Sequence, residues 1–231
     1  MSATDPQTSS HGKGHVLIVD DHPIVRQGIT LLINREEDFE VCCEAGDAEQ
    51  ALQSLRECNS RKPMDIAIID MSLPGISGIE LIKTIHADYP EMPVLVMSMH
   101  DESLYAERAL RAGARGYIMK QEATEKIMTA IRQIMRGEIY VSDKMRSIIL
   151  QRIIDSPPET PSSPVSCLSD KELEVLRLIG KGLRTSDISV ELHRSVKTIE
   201  AHRANIKDKL KLSNSTELIR FAVQWLESEQ A

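Results

Sequence analysis

The chain has 231 residues, a formal net charge of −7, 41% hydrophobic residues and 27% charged residues. Because a typical domain has about 100–150 residues, this length predicts two domains, and the composition excludes a disordered chain. No apolar run approaches the roughly 18 residues of a membrane span, so the sequence predicts a cytoplasmic protein without membrane contact.

The four cysteines form neither a CxxC pair nor a disulfide framework, which favours reduced thiols in a cytoplasm. Cys42 and Cys43 lie in an apolar stretch and are interpreted as small buried side chains, rather than as metal-binding or redox groups. Residues 1–14 are rich in Ser, Thr, Pro and Gly and lack the apolar centre of a secretory signal. They are predicted to form a disordered tail.

Over residues 15–137, short apolar runs alternate five times with helical patterns, which predicts a doubly wound α/β fold with a five-stranded parallel sheet. The predicted strands are His15–Asp20, Phe39–Ala45, Met64–Asp70, Pro93–Met99 and Gly116–Lys120. The predicted helices are Pro23–Arg35, Ala48–Glu57, Ile79–Asp88, Ser103–Ala112 and Thr124–Arg136.

Residues 138–167 are predicted to connect two domains, through a helical segment at Asp143–Ile154 and a Pro- and Ser-rich stretch at Asp155–Ser166. Residues 168–231 show helical patterns only, which predicts an all-α domain of four helices. These helices are predicted at Lys171–Gly180, Ser186–His193, Val196–Leu210 and Thr216–Glu227.

Polar side chains follow several of the predicted strands. Asp20 and Asp21 follow the first strand, and Asp70 ends the third. Since ligands bind at the carboxyl ends of parallel strands, the three carboxylates are expected together, as a cluster of hard oxygens suited to Mg²⁺. Ser98 and Lys120 bring a hydroxyl and an ammonium to the same edge, which completes an acceptor site for phosphoryl transfer. Any one of these aspartates alone is more often a helix cap or turn residue than a ligand, but five such groups on four strands are much less expected by chance.

The segments VDDHPIVRQGI, IIDMSLPGISGIEL, VMSMHDE and ALRAGARGYIMK resemble the receiver domain of two-component response regulators. The resemblance implies that Asp70 accepts a phosphoryl group from a sensor histidine kinase and that Ser98 and Lys120 contact it. It also implies that Asp20, Asp21, Asp70 and the carbonyl of Met71 hold Mg²⁺. Tyr117 matches an aromatic switch position, although a half-exposed strand tyrosine is an equal alternative.

In the C-terminal domain, Ser169 and Glu172 have the spacing of a capping box, and Ser195 is expected to cap the third helix. An inward stripe on that helix is predicted to include Val196, Ile199, Ile206 and Leu210. The opposite face is basic and follows a shorter helix across a tight turn, which is the geometry of a helix that enters the major groove. A solvated basic surface is the alternative on charge alone.

The segments LSDKELEVLRLIGKG and SVKTIEAHRANIKDKL resemble the LuxR-type helix-turn-helix of NarL/FixJ response regulators. The predicted contacts to double-stranded DNA are Lys197, Thr198, Glu200, Ala201, Arg203, Ala204, Lys207 and Lys211. The last helix is expected to expose apolar side chains that pair two such domains in a homodimer. These are Leu218, Phe221, Ala222 and Trp225.

Together the resemblances predict a response regulator that is phosphorylated at Asp70 and regulates transcription by binding DNA. No independent enzymatic turnover is expected. An Asp-dependent phosphatase is disfavoured because VDDHP lacks the DxDx[TV] pattern on the first strand. The remaining alternative is a phosphorylation-controlled adaptor whose helical domain binds a protein.

Overall fold

The computed structural model describes residues 13–58, 63–99, 102–155, 164–192 and 194–230. The chain divides into two compact units, Met1–Ile149 and Leu150–Ala231, and the border lies within the predicted connection at 138–167. Most of the predicted tail, and residues 156–163 of the connection, lie outside the described residues.

The first unit contains a five-stranded parallel sheet with the strand order β2-β1-β3-β4-β5. Apolar side chains, many of them β-branched, fill β1, β3 and β4, because helices cover both faces of the sheet there. The strands are β1 (Gly14–Val19), β2 (Phe39–Ala45), β3 (Ile66–Asp70), β4 (Val94–Ser98) and β5 (Gly116–Met119). This architecture confirms the predicted fold class.

Five helices connect and follow these strands, and each lies within a residue or two of its predicted position. They are α1 (Pro23–Asn34), α2 (Ala48–Cys58), α3 (Gly78–Asp88), α4 (Glu102–Arg111) and α5 (Ala123–Met135). One sheet face packs against α1 and α5, where Ile18, Ile68 and Ile131 are fully buried. A sixth helix, α6 (Asp143–Asp155), covers the helical segment predicted within the connection.

The edge strand β2 is irregular. Val16 pairs with Val41 and Leu17 pairs with Cys43, so Cys42 is an additional residue at a β-bulge. Cys42 and Cys43 are both only partly buried. The interpretation of these cysteines as buried core residues is therefore wrong, because the bulge lies on a sheet edge.

The second unit contains α7 (Asp170–Gly180), α8 (Thr185–Glu191), α9 (Val196–Lys209) and α10 (Ser215–Gln230). Helix α7 packs against α10 at Gly180, where a Cβ atom would lie 2.6 Å from the carbonyl oxygen of Ala222. Because the two helices pack this closely, apolar side chains of α10 lie in the core of the domain.

The expected exposure of the α10 side chains is consequently wrong for three of the four residues. Leu218 and Ala222 are fully buried and Trp225 is 7% exposed, whereas Phe221 is partly exposed. Val196, expected on the inward stripe of α9, is 45% exposed. In the described part of the chain, none of the helices combines the length and the apolar character that a membrane crossing requires.

Candidate functional site

The carboxyl ends of the central strands bring the predicted pocket residues to one edge of the sheet. Val19 pairs with Ile69, so Asp20 and Asp70 are neighbours at the ends of β1 and β3. Ser98 ends β4 opposite Met119 of β5, and Lys120 follows directly. Asp20, Asp70 and Ser98 are each at most 1% exposed. The sheet register therefore places these four groups in one buried pocket.

Lys120 lies between the two buried carboxylates. Its Nζ atom is 2.7 Å from Oδ2 of Asp20 and 2.8 Å from Oδ2 of Asp70. Burial alone would lower the pKa of Lys120, but the charges of Asp70 and Asp20 outweigh burial and raise it. Burial raises the pKa of Asp70, and the lysine offsets only part of that effect. The ammonium thus partly neutralises an otherwise costly pair of buried anions.

Backbone groups orient the two carboxylates. The amide of His22 donates to Oδ1 of Asp20 at 2.8 Å, and the amide of Ser72 donates to Oδ1 of Asp70 at 3.2 Å. The loop after Asp70 folds against Gly78, whose Cβ atom, if present, would lie 2.7 Å from Cα of Met71. A residue larger than glycine at position 78 would therefore displace the loop that follows Asp70.

The donor atoms at this edge fit a divalent cation. Atoms of Asp20, Asp21, His22 and Asp70 lie within 4.8 Å of one another. The buried Oδ2 of Asp20 contacts Lys120 as an ion pair but accepts no hydrogen bond from the described residues. The Met71 carbonyl accepts one hydrogen bond, from the Gly78 amide at 3.2 Å, and so retains a second lone pair. Such oxygen donors are those that Mg²⁺ prefers.

The sequence interpretation missed His22 and Arg26. The ring Nδ1 of His22 lies 2.6 Å from Oδ1 of Asp21, and Arg26 donates to the backbone carbonyl of Asp20 at 2.5 Å. Both residues follow the acidic pair within the segment VDDHPIVR, and this position is the sequence feature that could have identified them as pocket residues. Tyr117 on β5 is 1% exposed, which excludes the alternative of a half-exposed tyrosine.

Helix α9 presents most of the residues that were predicted to contact DNA. Among them, Arg203 and Lys207 are partly buried. The exposed members are Lys197, Thr198, Glu200, Ala201, Ala204 and Lys211. Ser195 caps the helix by accepting a hydrogen bond from the Thr198 amide at 3.1 Å, as predicted.

An ion pair between an exposed lysine and a buried glutamate connects α9 to α7. Nζ of Lys209 lies 2.7 Å from Oε2 of Glu172, which is 3% exposed. Glu172 also accepts a hydrogen bond from the Ser169 amide at 2.8 Å, within the predicted capping box. Burial opposes ionisation, but the hydrogen bonds from Lys209 and Ser169 lower the pKa of Glu172. The sequence analysis did not identify this contact, because it joins residues far apart in the chain.

Comparison with known proteins defines the class. Residues 16–132 match the response regulator receiver domain, and residues 166–222 match the bacterial regulatory proteins of the luxR family. The chain therefore belongs to the two-component response regulators with a LuxR-type DNA-binding domain, and it regulates transcription by binding DNA.

Individual relatives match over nearly the whole chain. The oxygen regulatory protein NreC of Staphylococcus haemolyticus is 37% identical over 213 residues, which cover 90% of this chain and 96% of NreC. The RcsB response regulator of Salmonella typhimurium is 28% identical, with a TM-score of 0.59 and coverage of 93% and 98% of the two chains. RcsB of Salmonella enterica serovar Typhimurium, bound to the promoter rprA with the phosphomimetic BeF₃⁻, is 27% identical, with a TM-score of 0.55 and coverage of 91% and 98%.

Proposed function

We propose that a sensor histidine kinase transfers a phosphoryl group to Asp70, with Mg²⁺ in the acidic pocket, and that this modification controls DNA binding by α9. The observation that carries the proposal is the position of Lys120 between the two buried aspartates. A structural ion pair would need only one carboxylate. Two carboxylates carry more negative charge than one ammonium neutralises, so the pocket retains charge for a metal cation. The ammonium itself is fixed beside an incoming phosphoryl group.

The chemistry requires one bond to form and one to break. A carboxylate oxygen of Asp70 attacks phosphorus, an acyl phosphate forms, and the bond from phosphorus to the phosphohistidine nitrogen of the kinase breaks. The Ser72 amide holds one oxygen of Asp70, which fixes the plane of the carboxylate. Lys120 supplies positive charge. Ser98 ends the neighbouring strand β4, and its buried hydroxyl can donate a hydrogen bond to a phosphoryl oxygen.

Asp20, Asp21 and Asp70, together with the Met71 carbonyl, would hold Mg²⁺. When bound, the ion neutralises charge on the phosphoryl oxygens. The backbone amide of His22 orients the carboxylate of Asp20 by a hydrogen bond. Because Gly78 has no side chain, the loop at Met71 can pack closely against it. The proposed role of Tyr117 as a switch is supported by its burial on β5, the strand that Lys120 directly follows.

For DNA, the proposed contacts are the residues on and directly after α9. Lys197, Arg203, Lys207 and Lys211 are suited to phosphate oxygens, and Glu200 on an early turn can accept a hydrogen bond from cytosine N4. Residues 165–231 hold 11 basic and 10 acidic side chains, so the attraction arises from the local cluster rather than from net charge. In a solved structure the related RcsB is bound to the promoter rprA, which supports DNA as the partner.

A homodimer is proposed as the DNA-binding form, because a two-fold symmetric dimer can bind two half-sites. A solved structure describes two RcsB dimers bound to two parallel DNAs. In this chain, the domain core buries Leu218, Ala222 and Trp225. Within the predicted α10 surface, a contact with the second protomer can therefore involve only partly exposed residues such as Phe221.

The proposal is tested by incubating the protein with Mg²⁺ and a small phosphodonor, and then measuring oligomeric state and selection of genomic DNA fragments. The wild type should form a dimer and retain specific fragments more strongly after phosphorylation. Asp70→Asn should show neither change while keeping its fold by circular dichroism. A phosphorylated protein that selects no DNA fragment would instead favour the adaptor whose helical domain binds a protein.

A further inference from the structure

A second cluster of metal-binding side chains lies at the opposite end of the sheet from the acidic pocket. His15 is near the start of β1, and its register partner Glu40 is near the start of β2. One ligand atom from each of His15, Glu40 and Cys42 can be chosen so that all three lie within 4.8 Å of one another. Asp20 follows β1 five residues after His15, about 16 Å further along at the usual strand rise. The two clusters are therefore separate sites.

The distances in this cluster match a tetrahedral metal site. Nε2 of His15 lies 3.6 Å from Oε1 of Glu40, and Sγ of Cys42 lies 3.5 Å from the same oxygen. Two ligands on one tetrahedral zinc ion are separated by roughly 3.3–3.7 Å, given Zn–N, Zn–O and Zn–S bonds of about 2.0–2.3 Å. These two distances have the spacing that such an ion requires, and the ligand atoms of His15 and Cys42 lie within 4.8 Å of each other.

The sulfur ligand lies at the β-bulge of β2. Cys42 has no register partner on β1, because Val41 pairs with Val16 and Cys43 pairs with Leu17. The additional residue allows two consecutive side chains to point toward the same face of the sheet. Cys42 contacts Glu40, while Cys43 lies 3.0 Å from Sγ of Cys58 in α2. Residues 40 and 42 share one face of a strand, so strand alternation places Cys42 beside Glu40, whose register partner is His15.

The other ring nitrogen of His15 is held in a way that leaves Nε2 available to a metal. Nδ1 lies 3.0 Å from the carbonyl oxygen of Pro63, and because a carbonyl only accepts hydrogen bonds, Nδ1 carries the proton. In a neutral imidazole the lone pair is then on Nε2, which faces Glu40. Histidines that bind metals are commonly fixed in this way by a carbonyl or carboxylate. Asp65 holds the same residue by accepting from its backbone amide at 2.7 Å.

We infer that His15, Glu40 and Cys42 form a binding site for Zn²⁺ or a similar thiophilic divalent cation, with solvent as the fourth ligand. The imidazole, carboxylate and thiolate set suits zinc and excludes Mg²⁺, which prefers oxygen ligands. The His15 side chain is 21% exposed and that of Glu40 is 37% exposed, so the ion can enter from solvent. Bound zinc would join the edge strand β2 to β1.

The test uses the reduced, metal-free, full-length protein with excess Mg²⁺ to fill the acidic pocket. Titration with Co²⁺ should produce a thiolate-to-cobalt charge-transfer band that saturates at one equivalent and disappears when Zn²⁺ is added. Cys42→Ser should abolish the band, and His15→Ala should weaken Co²⁺ affinity by at least about 100-fold. Cys43→Ser, which removes the adjacent thiol, should retain the full band. Absence of the band in the wild type, or its persistence in Cys42→Ser, would overturn the inference.

A measurement on the wild type keeps the test decisive if a variant fails to fold. Zn²⁺ should slow alkylation of Cys42 at least about tenfold relative to the exposed Cys167, as mapped by mass spectrometry. The protection should persist in Asp70→Asn, because the acidic pocket is not involved. Equal alkylation of Cys42 with and without Zn²⁺ would contradict the inferred site.

Discussion

The acidic pocket and the exposed face of α9 hold their charges in different ways. In the pocket, Asp20, Asp70 and Lys120 are nearly all buried and lie within 2.8 Å of a partner, so each charge depends on the others. On α9, the charged side chains of Lys197 and Glu200 are exposed to solvent. Changes in the pocket should therefore alter both stability and chemistry, whereas changes at these exposed positions of α9 should alter DNA affinity alone.

The largest effect is expected from Lys120→Met. This change leaves two buried carboxylates without their cation, which should lower the free energy of unfolding of the receiver domain by about 3–5 kcal/mol. The matched control is Lys126→Met, whose exposed ion pair with Glu122 at 2.9 Å should contribute no measurable stability. Urea denaturation distinguishes them. Equal urea midpoints for the two variants would show that Lys120 does not stabilise the two buried carboxylates.

A smaller effect is expected from Gly78→Ala. The new Cβ atom would contact the backbone of Asp70 and Met71, and overpacking of this kind costs about 1–3 kcal/mol. Phosphorylation by a small phosphodonor should slow as well, because the acceptor loop shifts. Gly28→Ala, on an exposed part of α1 with no atom near the new Cβ, should be neutral or slightly stabilising. Identical labelling rates in the two variants would contradict the proposed role of the loop.

Glu172→Gln should destabilise the C-terminal domain by about 1–2 kcal/mol, because a charged hydrogen bond to Lys209 is weakened. The pKa of Glu172 is lowered in the folded domain. Its stabilising effect is therefore fully present above the ordinary glutamate pKa and is lost as the pH falls through the folded-state value. Thermal unfolding of wild type and variant should converge at low pH. The exposed Glu191→Gln should instead follow the wild type at every pH.

The smallest effect is expected from Lys207→Ala, which should leave stability unchanged and weaken DNA binding uniformly across sequences. Loss of one phosphate contact should reduce the slope of log affinity against log salt concentration by about 1. Lys181→Ala, at an exposed position outside α9, is the control. If both variants keep the wild-type slope in fluorescence anisotropy titrations, Lys207 makes no phosphate contact.

The comparison of the two regions also explains how much the sequence could predict. Strand ends place Asp20, Asp70 and Lys120 at one edge whatever the side-chain details, so short apolar runs alternating with period-3.6 patterns were enough to find the pocket. Burial on α10 was not predictable in this way. Leu218 and Trp225 pack inside because Gly180 on α7 lets the two helices approach closely, and a single-helix pattern does not contain that contact.

Contacts between distant segments were likewise missed. The Glu172–Lys209 pair depends on helix packing, and the cluster of His15, Glu40 and Cys42 depends on the register between β1 and β2. Neither a helix-packing contact nor the register of two strands leaves a local pattern in the sequence. Cys42 was interpreted as a core residue because its neighbours are apolar, yet the bulge places it on a partly exposed edge.

The most direct test of the central claim is to locate the phosphoryl group by chemistry. Wild-type protein treated with Mg²⁺ and a small phosphodonor would be trapped with borohydride, which reduces an acyl phosphate to the alcohol, and mapped by mass spectrometry. The account predicts conversion of Asp70 to homoserine, no conversion at Asp20 or Asp21, and no trapped product in Asp70→Asn. Trapping at another residue, with Asp70 intact, would contradict the account.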